Sequence, residues 1–146
     1  MLQTIWLPEI SSGAPALDHL HQAFIEALEN ASAAPDSEFC ARYLTLTERS
    51  EHIFRQEDQW MDAIDFVGTK AHREQHARVL AALHNTRIAV MQGDLALGRR
   101  VVDVLLPHWF AFHLATMDTA LALALQIAKA EGMRGAAQRE ICAITV

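Results

Sequence analysis

The sequence predicts an all-α fold, an up-down-up-down four-helix bundle, and three observations carry that expectation. Apolar residues recur three and four positions apart through four long segments, as in helices that bury one face. Short runs rich in Asn, Asp, Pro and Gly separate these segments, and links so short force neighbouring helices to pack antiparallel. With 146 residues, 51% of them hydrophobic, the chain carries enough apolar mass for a single core.

Residues 1–14 read as an apolar, turn-rich arm: Pro8 and Gly13 argue against a helix, and Trp6 is its expected anchor across the bundle. The bundle is expected over 15–131 and a tail over 132–146, all within one domain. Pro15 suits a first helical turn, and Leu17, Leu20, His21, Phe24, Ile25 and Leu28 then form one stripe, which leaves His19 off it. Asn30 to Ser37 reads as a turn in which Asp36 or Ser37 caps the next helix. That second helix runs to about Ile64, with Leu46, Ser50, Ile53, Glu57, Trp60, Met61 and Ile64 inward. A glutamate in such company must be paired, hydrogen-bonded or metal-bound, because burying it alone is costly.

Asp65 to Thr69 is a short link containing Gly68. The third helix, about Lys70 to Met91, is expected to turn His72, His76, Val79, Leu80 and Ile88 inward, with His84 packed nearby, before Gln92-Gly93-Asp94 stops it. The fourth, about Leu95 to Glu131, contains Pro107, so a kink is expected near Asp103 to Pro107. His113 and Asp118 lie five apart on it, a spacing that does not stack on a regular α-helix and implies approach from different heights. Gly132 and Gly135 should end this helix. The closing Ile141 to Val146 has β-propensity and suits either packing on the bundle or on a second subunit, which makes a homo-oligomer compatible with the sequence, or a frayed tail.

A net charge of -6 and a pI near 5.7 argue against nucleic-acid binding, which needs a clustered basic footprint. No uninterrupted run of about 18 apolar residues is present, so no membrane span is expected. Met1-Leu2-Gln3-Thr4 lacks the basic segment and apolar run of a secretion signal, which leaves the cytoplasm as the expected location. Cys40 and Cys142, far apart and without a C-x-x-C, read as thiols.

Chemistry concentrates where ligand-type residues recur. His72 and His76 are four apart, so both imidazoles project from one helical face, a spacing that can grip one transition-metal ion. By itself such a pair is common on surface helices. Around it each helix contributes further candidates: Asp18, His19 and His21 on the first, Glu57 on the second, His113 and Asp118 on the fourth. The Glu-x-x-His motifs of ferritin-type di-iron bundles are absent.

This order resembles the hemerythrin family over roughly residues 5–125. The family's W-x-x-x opening with G-x-x-x-x-D-x-x-H looks like Trp6, Gly13, Asp18 and His21. Its H-F-x-x-E-E-x-x-M box looks like Ile53 to Met61 with Asp58 as the second acid, its H-x-x-x-H pair is His72 and His76, and its W-x-x-x-H-x-x-x-x-D element is Trp109, His113 and Asp118. The resemblance implies non-haem iron, with His72, His76 and His113 on one ion, Glu57 and Asp118 bridging, and His21 on a second ion. Dioxygen or another small diatomic is the implied ligand. Where the family has the histidine of the H-F-x-x-E box this chain has Ile53, with His52 displaced onto a polar face by about 100° of helical turn. Three functions are therefore expected in order: an iron protein binding or sensing dioxygen, an oxygen- or peroxide-activating oxidase, and a regulatory or interaction bundle stabilised by one iron, zinc or manganese ion without oxygen carriage. Binding rather than catalysis is the leading expectation.

Overall fold

The computed structural model describes residues 13–144, all helix apart from the turns, and shows the four-helix bundle. Helix α1 spans Pro15–Ala33, α2 Asp36–Ala63 and α3 Thr69–Met91. The fourth rod, α4, consists of the α-helical segments Leu95–Arg100, Leu106–His113 and Thr119–Ile144, joined by two π-helical turns, Val101–Leu105 and Leu114–Asp118. Pro15 occupies the first turn of α1 as expected. Trp6 and the rest of the expected arm up to Ser12 lie outside the described residues.

The links act as their residues suggest, with one exchange of partners. Asp65 and Gly93 take positive φ, 50° and 92°, to reverse the chain at the α2–α3 and α3–α4 turns. Neither Asp36 nor Ser37 caps α2: Pro35 precedes the helix, and the Asp36 carboxylate instead accepts from Arg99 Nη2 at 2.7 Å. Arg99 also donates to the Ala34 carbonyl at 2.7 Å and lies 4.2 Å over the Phe39 ring, so one side chain ties the start of α4 to the α1–α2 turn.

Most of the core is aliphatic and aromatic, with a group of buried polar side chains in its midst. Leu17, Leu28, Phe39, Tyr43, Leu46 and Leu83 are fully buried, each burial contributing about 1.5–3 kcal/mol. The Tyr43 hydroxyl donates to the Leu83 carbonyl at 2.8 Å, which satisfies the largest polar group of this core, and burial pushes its pKa up to about 12 although a hydrogen bond with Thr86 opposes the rise. On α3 the buried set is His72, His76, Val79, Leu83, Thr86 and Val90. Ile88, expected inward, is exposed: sixteen residues beyond His72 it has turned nearly to the opposite face.

Pro107 bends the expectation for α4 in a specific way. Having no N–H, it cannot bond the carbonyl one turn earlier, and the rod widens just before it into the π turn Val101–Leu105, where Leu106 N–H reaches Val101 O. His108 Nδ1 donates to Val104 O at 2.7 Å and satisfies a carbonyl of this irregular stretch. The rod does not stop at Gly132 and Gly135 but continues to Ile144, so the expected tail is helical over its described residues. Two glycines cost only about 1 kcal/mol each, and the good helix formers around them prevail. By length and hydropathy alone Leu95–Glu140 would cross a bilayer. Its inner face instead carries buried His113 and Asp118 into the bundle.

Gly98 sets how closely α4 approaches its neighbours: a Cβ there would sit 2.5 Å from Val90 Cγ2 and 2.8 Å from Phe39 Cε1. Gly98→Val should therefore lower unfolding stability in urea by about 1–3 kcal/mol through overpacking.

Candidate metal centre

Six side chains from all four rods meet inside the bundle. His21 comes from α1, Glu57 from α2, His72 and His76 from α3, His113 and Asp118 from α4, and none is more than 3% exposed. Helical periodicity delivers the first four. His72 and His76 stack one turn apart, and Glu57 sits on the same stripe of α2 as Ile53 and Met61.

The α4 pair arrives by a different route. The π turn Leu114–Asp118 carries an i→i+5 bond from Thr119 N–H to Leu114 O, which widens the turn by one residue. Five residues then return to one face. His113 Nε2 and Asp118 Oδ1 lie 3.2 Å apart, so the two side chains meet side by side and not, as α-helical spacing implies, from separate heights.

Each carboxylate is divided between two sides of the cluster. Glu57 Oε2 faces His72 Nε2 at 3.2 Å and His76 Nε2 at 3.0 Å, while Oε1 faces His21 Nε2 at 3.9 Å. Asp118 Oδ1 faces His72 Nε2 at 3.1 Å and His113 Nε2 at 3.2 Å, while Oδ2 lies 3.0 Å from His21 Nε2. One side thus gathers three imidazoles and two carboxylate oxygens; the other gathers one imidazole and the two remaining oxygens. The donor atoms of Glu57, His72, His76 and His113 lie within 4.8 Å of one another, and so do those of His21, Glu57 and Asp118.

The outward hydrogen bonds decide what this arrangement can hold. His113 Nδ1 faces Gln75 Oε1 at 2.8 Å and His76 Nδ1 faces Asp58 Oδ1 at 3.4 Å, and both oxygens accept. Each ring must therefore donate through Nδ1, which leaves Nε2 of the neutral ring as a bare lone pair pointing inward. Those two Nε2 atoms are 3.2 Å apart and Glu57 Oε2 is beside them. Such convergence of acceptors is stable only around positive charge, either protons or a metal ion. Stacking fixes the rings: Phe54 lies on His76 at 4.1 Å and Trp109 on His113 at 4.5 Å.

In the protein without metal, protons supply that charge. Burial by itself favours neutral His72, but hydrogen bonding and the negative charge of Asp118 and Glu57 outweigh it and raise its pKa to about 9. Burial likewise favours neutral Asp118, yet hydrogen bonds from His113, His21 and His72 hold it well below the usual carboxylate range.

Ile53 occupies the α2 stripe one turn before Glu57 and is 2% exposed, so an aliphatic side chain stands where the family pattern has a histidine. α2 stays α-helical throughout and His52 remains exposed. His19 is exposed as well, and His84, half-exposed, pairs with Glu51 at 2.6 Å outside the cluster. Sequence reasoning missed Gln75 as a hydrogen-bond partner, and placed Asp58 only as a stand-in for an acid.

A bacteriohemerythrin from Ralstonia nicotianae (strain ATCC BAA-1114 / GMI1000) is 36% identical over 113 residues, 77% of this chain and 82% of that protein. The chain belongs to the hemerythrin family. Its buried His/Glu/Asp cluster makes it a hemerythrin-like metal-binding protein, and the donors present fit a family centre on the three-imidazole side. No family model matches the chain, and no solved structure does.

The hemerythrin-like cluster has a pH signature when metal-free. The His72 pKa is raised on folding, so its contribution is fully present below about 6.5 and is lost as pH rises through about 9. Asp118 is depressed, so its contribution is present above about 3.9 and lost as pH falls below it. Chelator-treated protein should therefore melt at a falling temperature between pH 6.5 and 9, and His72→Gln should flatten that slope. Metal affinity should climb over the same interval, since binding displaces the proton.

Proposed function

We propose that the cluster holds non-haem iron, one or two ions per chain, and that dioxygen or another small diatomic molecule is its ligand. The observation that carries this reading is the division of Glu57 and Asp118, each with one oxygen toward His72, His76 and His113 and the other toward His21. Two carboxylates placed so are suited to bridge two ions. His72, His76 and His113 would hold one ion with both carboxylates, and His21 with the same carboxylates would hold the other. Zinc and manganese are the alternative occupants of the same donors, because divalent occupancy follows supply as well as ligand type.

Bound iron would supply the redox capacity and an open coordination position. The chain's own residues do the rest. Stacked Phe54 and Trp109 keep His76 and His113 from rotating, the bundle core keeps water from the carboxylates, and outward bonds from Nδ1 select the tautomer in which each neutral ring turns its Nε2 lone pair inward. On the His21 side Ile53 brings no nitrogen, so the ion there should bind more weakly. That openness favours a second reading, an oxygen- or peroxide-activating centre that oxidises an added reductant.

Metal per chain, measured after purification without oxygen, and near-ultraviolet and visible absorbance on admitting air test these readings together. Two irons and a band that disappears again on removing oxygen support the leading reading. Steady consumption of reductant supports the second, and a single ion with a silent spectrum overturns both. Ile53→His should raise iron content toward two per chain; unchanged content would show that the His21 side is rebuilt around isoleucine.

A further inference from the structure

His76 and His113 enter the same side of the cluster, yet their outer partners differ in charge. His76 Nδ1 faces the Asp58 carboxylate, which is itself 3.5 Å from Arg73 Nε. His113 Nδ1 faces the neutral amide oxygen of Gln75 at the shorter distance of 2.8 Å. Gln75 lies on α3 next to His76, and its side chain crosses to α4, where Trp109 stacks on the same imidazole within 18° of parallel. His113 is 1% exposed, so Gln75 and Trp109 together leave its ring little freedom.

A carboxylate behind an imidazole makes it a stronger electron donor, whereas a neutral amide fixes the same tautomer with less push. We propose that Gln75 is a positioning residue of the metal centre: it holds the His113 ring with Nε2 inward and keeps it the weaker donor of the two, restraining the preference for the oxidised ion. The role of Gln75 in orienting His113 applies to any divalent metal. Its effect on redox preference rests on the reading that the centre holds iron.

The experiment uses the full chain with Gln75→Leu and Gln75→Glu beside the unsubstituted protein. Zinc and cobalt affinities come from chelator competition, and the midpoint potential from iron-loaded protein. Gln75→Leu should weaken zinc and cobalt binding about 10- to 100-fold. Gln75→Glu, of equal shape, should restore affinity and move the potential to more negative values. Far-ultraviolet circular dichroism reports folding, and if Gln75→Leu unfolds, the potential of Gln75→Glu decides. Unchanged affinity in folded Gln75→Leu, equal loss in both variants, or a potential in Gln75→Glu that stays or rises overturns the proposal. An unsubstituted protein that binds zinc and cobalt but not iron overturns the iron reading and leaves the affinity comparison decisive for positioning; failure to bind any of the three overturns both.

Discussion

Two carboxylates and four imidazoles share a space from which the bundle excludes water, and that crowding governs everything around it. A lone buried carboxylate would cost several kcal/mol, and bare imidazole lone pairs facing it add to the penalty. The cluster tolerates the arrangement because its sum of charge can be completed from outside, by protons or by metal. Folding and cation binding are thus thermodynamically linked at this cluster. The aromatic lining is part of the same solution: Phe54 and Phe110 pack against a ring face and a ring edge without offering donors that would compete for the inward nitrogens, and Trp109 stacks on the face of His113.

Much of this was legible in the residues, for reasons that can be stated. Period 3.6 in α1, α2 and α3 placed His21, Glu57, His72 and His76 on inward stripes, and the same arithmetic, carried one step further, would have removed Ile88 from its stripe. The α4 pair was not legible. Nothing in the composition of Leu114-Ala115-Thr116-Met117-Asp118 marks a π turn, so five-residue spacing looked like misalignment when it was the alignment itself. Outer partners were hidden for a different cause. Gln75 and Asp58 reach their imidazoles across helix boundaries, and such reach depends on side-chain rotamers that no one-dimensional pattern records. Glycine was over-read at the end of α4, where its modest helix penalty is spread over a rod with many favourable neighbours.

Ile53 shows how a family scaffold can persist while its site becomes lopsided. Its aliphatic side chain keeps the α2 stripe buried as well as a ring would, so packing exerts no pressure to restore the histidine. The consequence falls wholly on donor count: the side with three imidazoles is intact, and the His21 side depends on carboxylates that it shares. Fold and metal chemistry are therefore separable here, with helix packing indifferent to a change that the centre feels directly.

The second π turn also alters what a change of chain length would mean. In an ordinary helix, excising one residue swings everything beyond it by about 100° and scrambles the buried face. Between His113 and Asp118 the rod already carries a surplus residue, so losing one of Ala115, Thr116 or Met117 would merely return this stretch to common α-helical pitch, with histidine and aspartate then four apart and the downstream face undisturbed. At that point the protein holds a spare link, and a deletion ruinous elsewhere in the bundle would be absorbed.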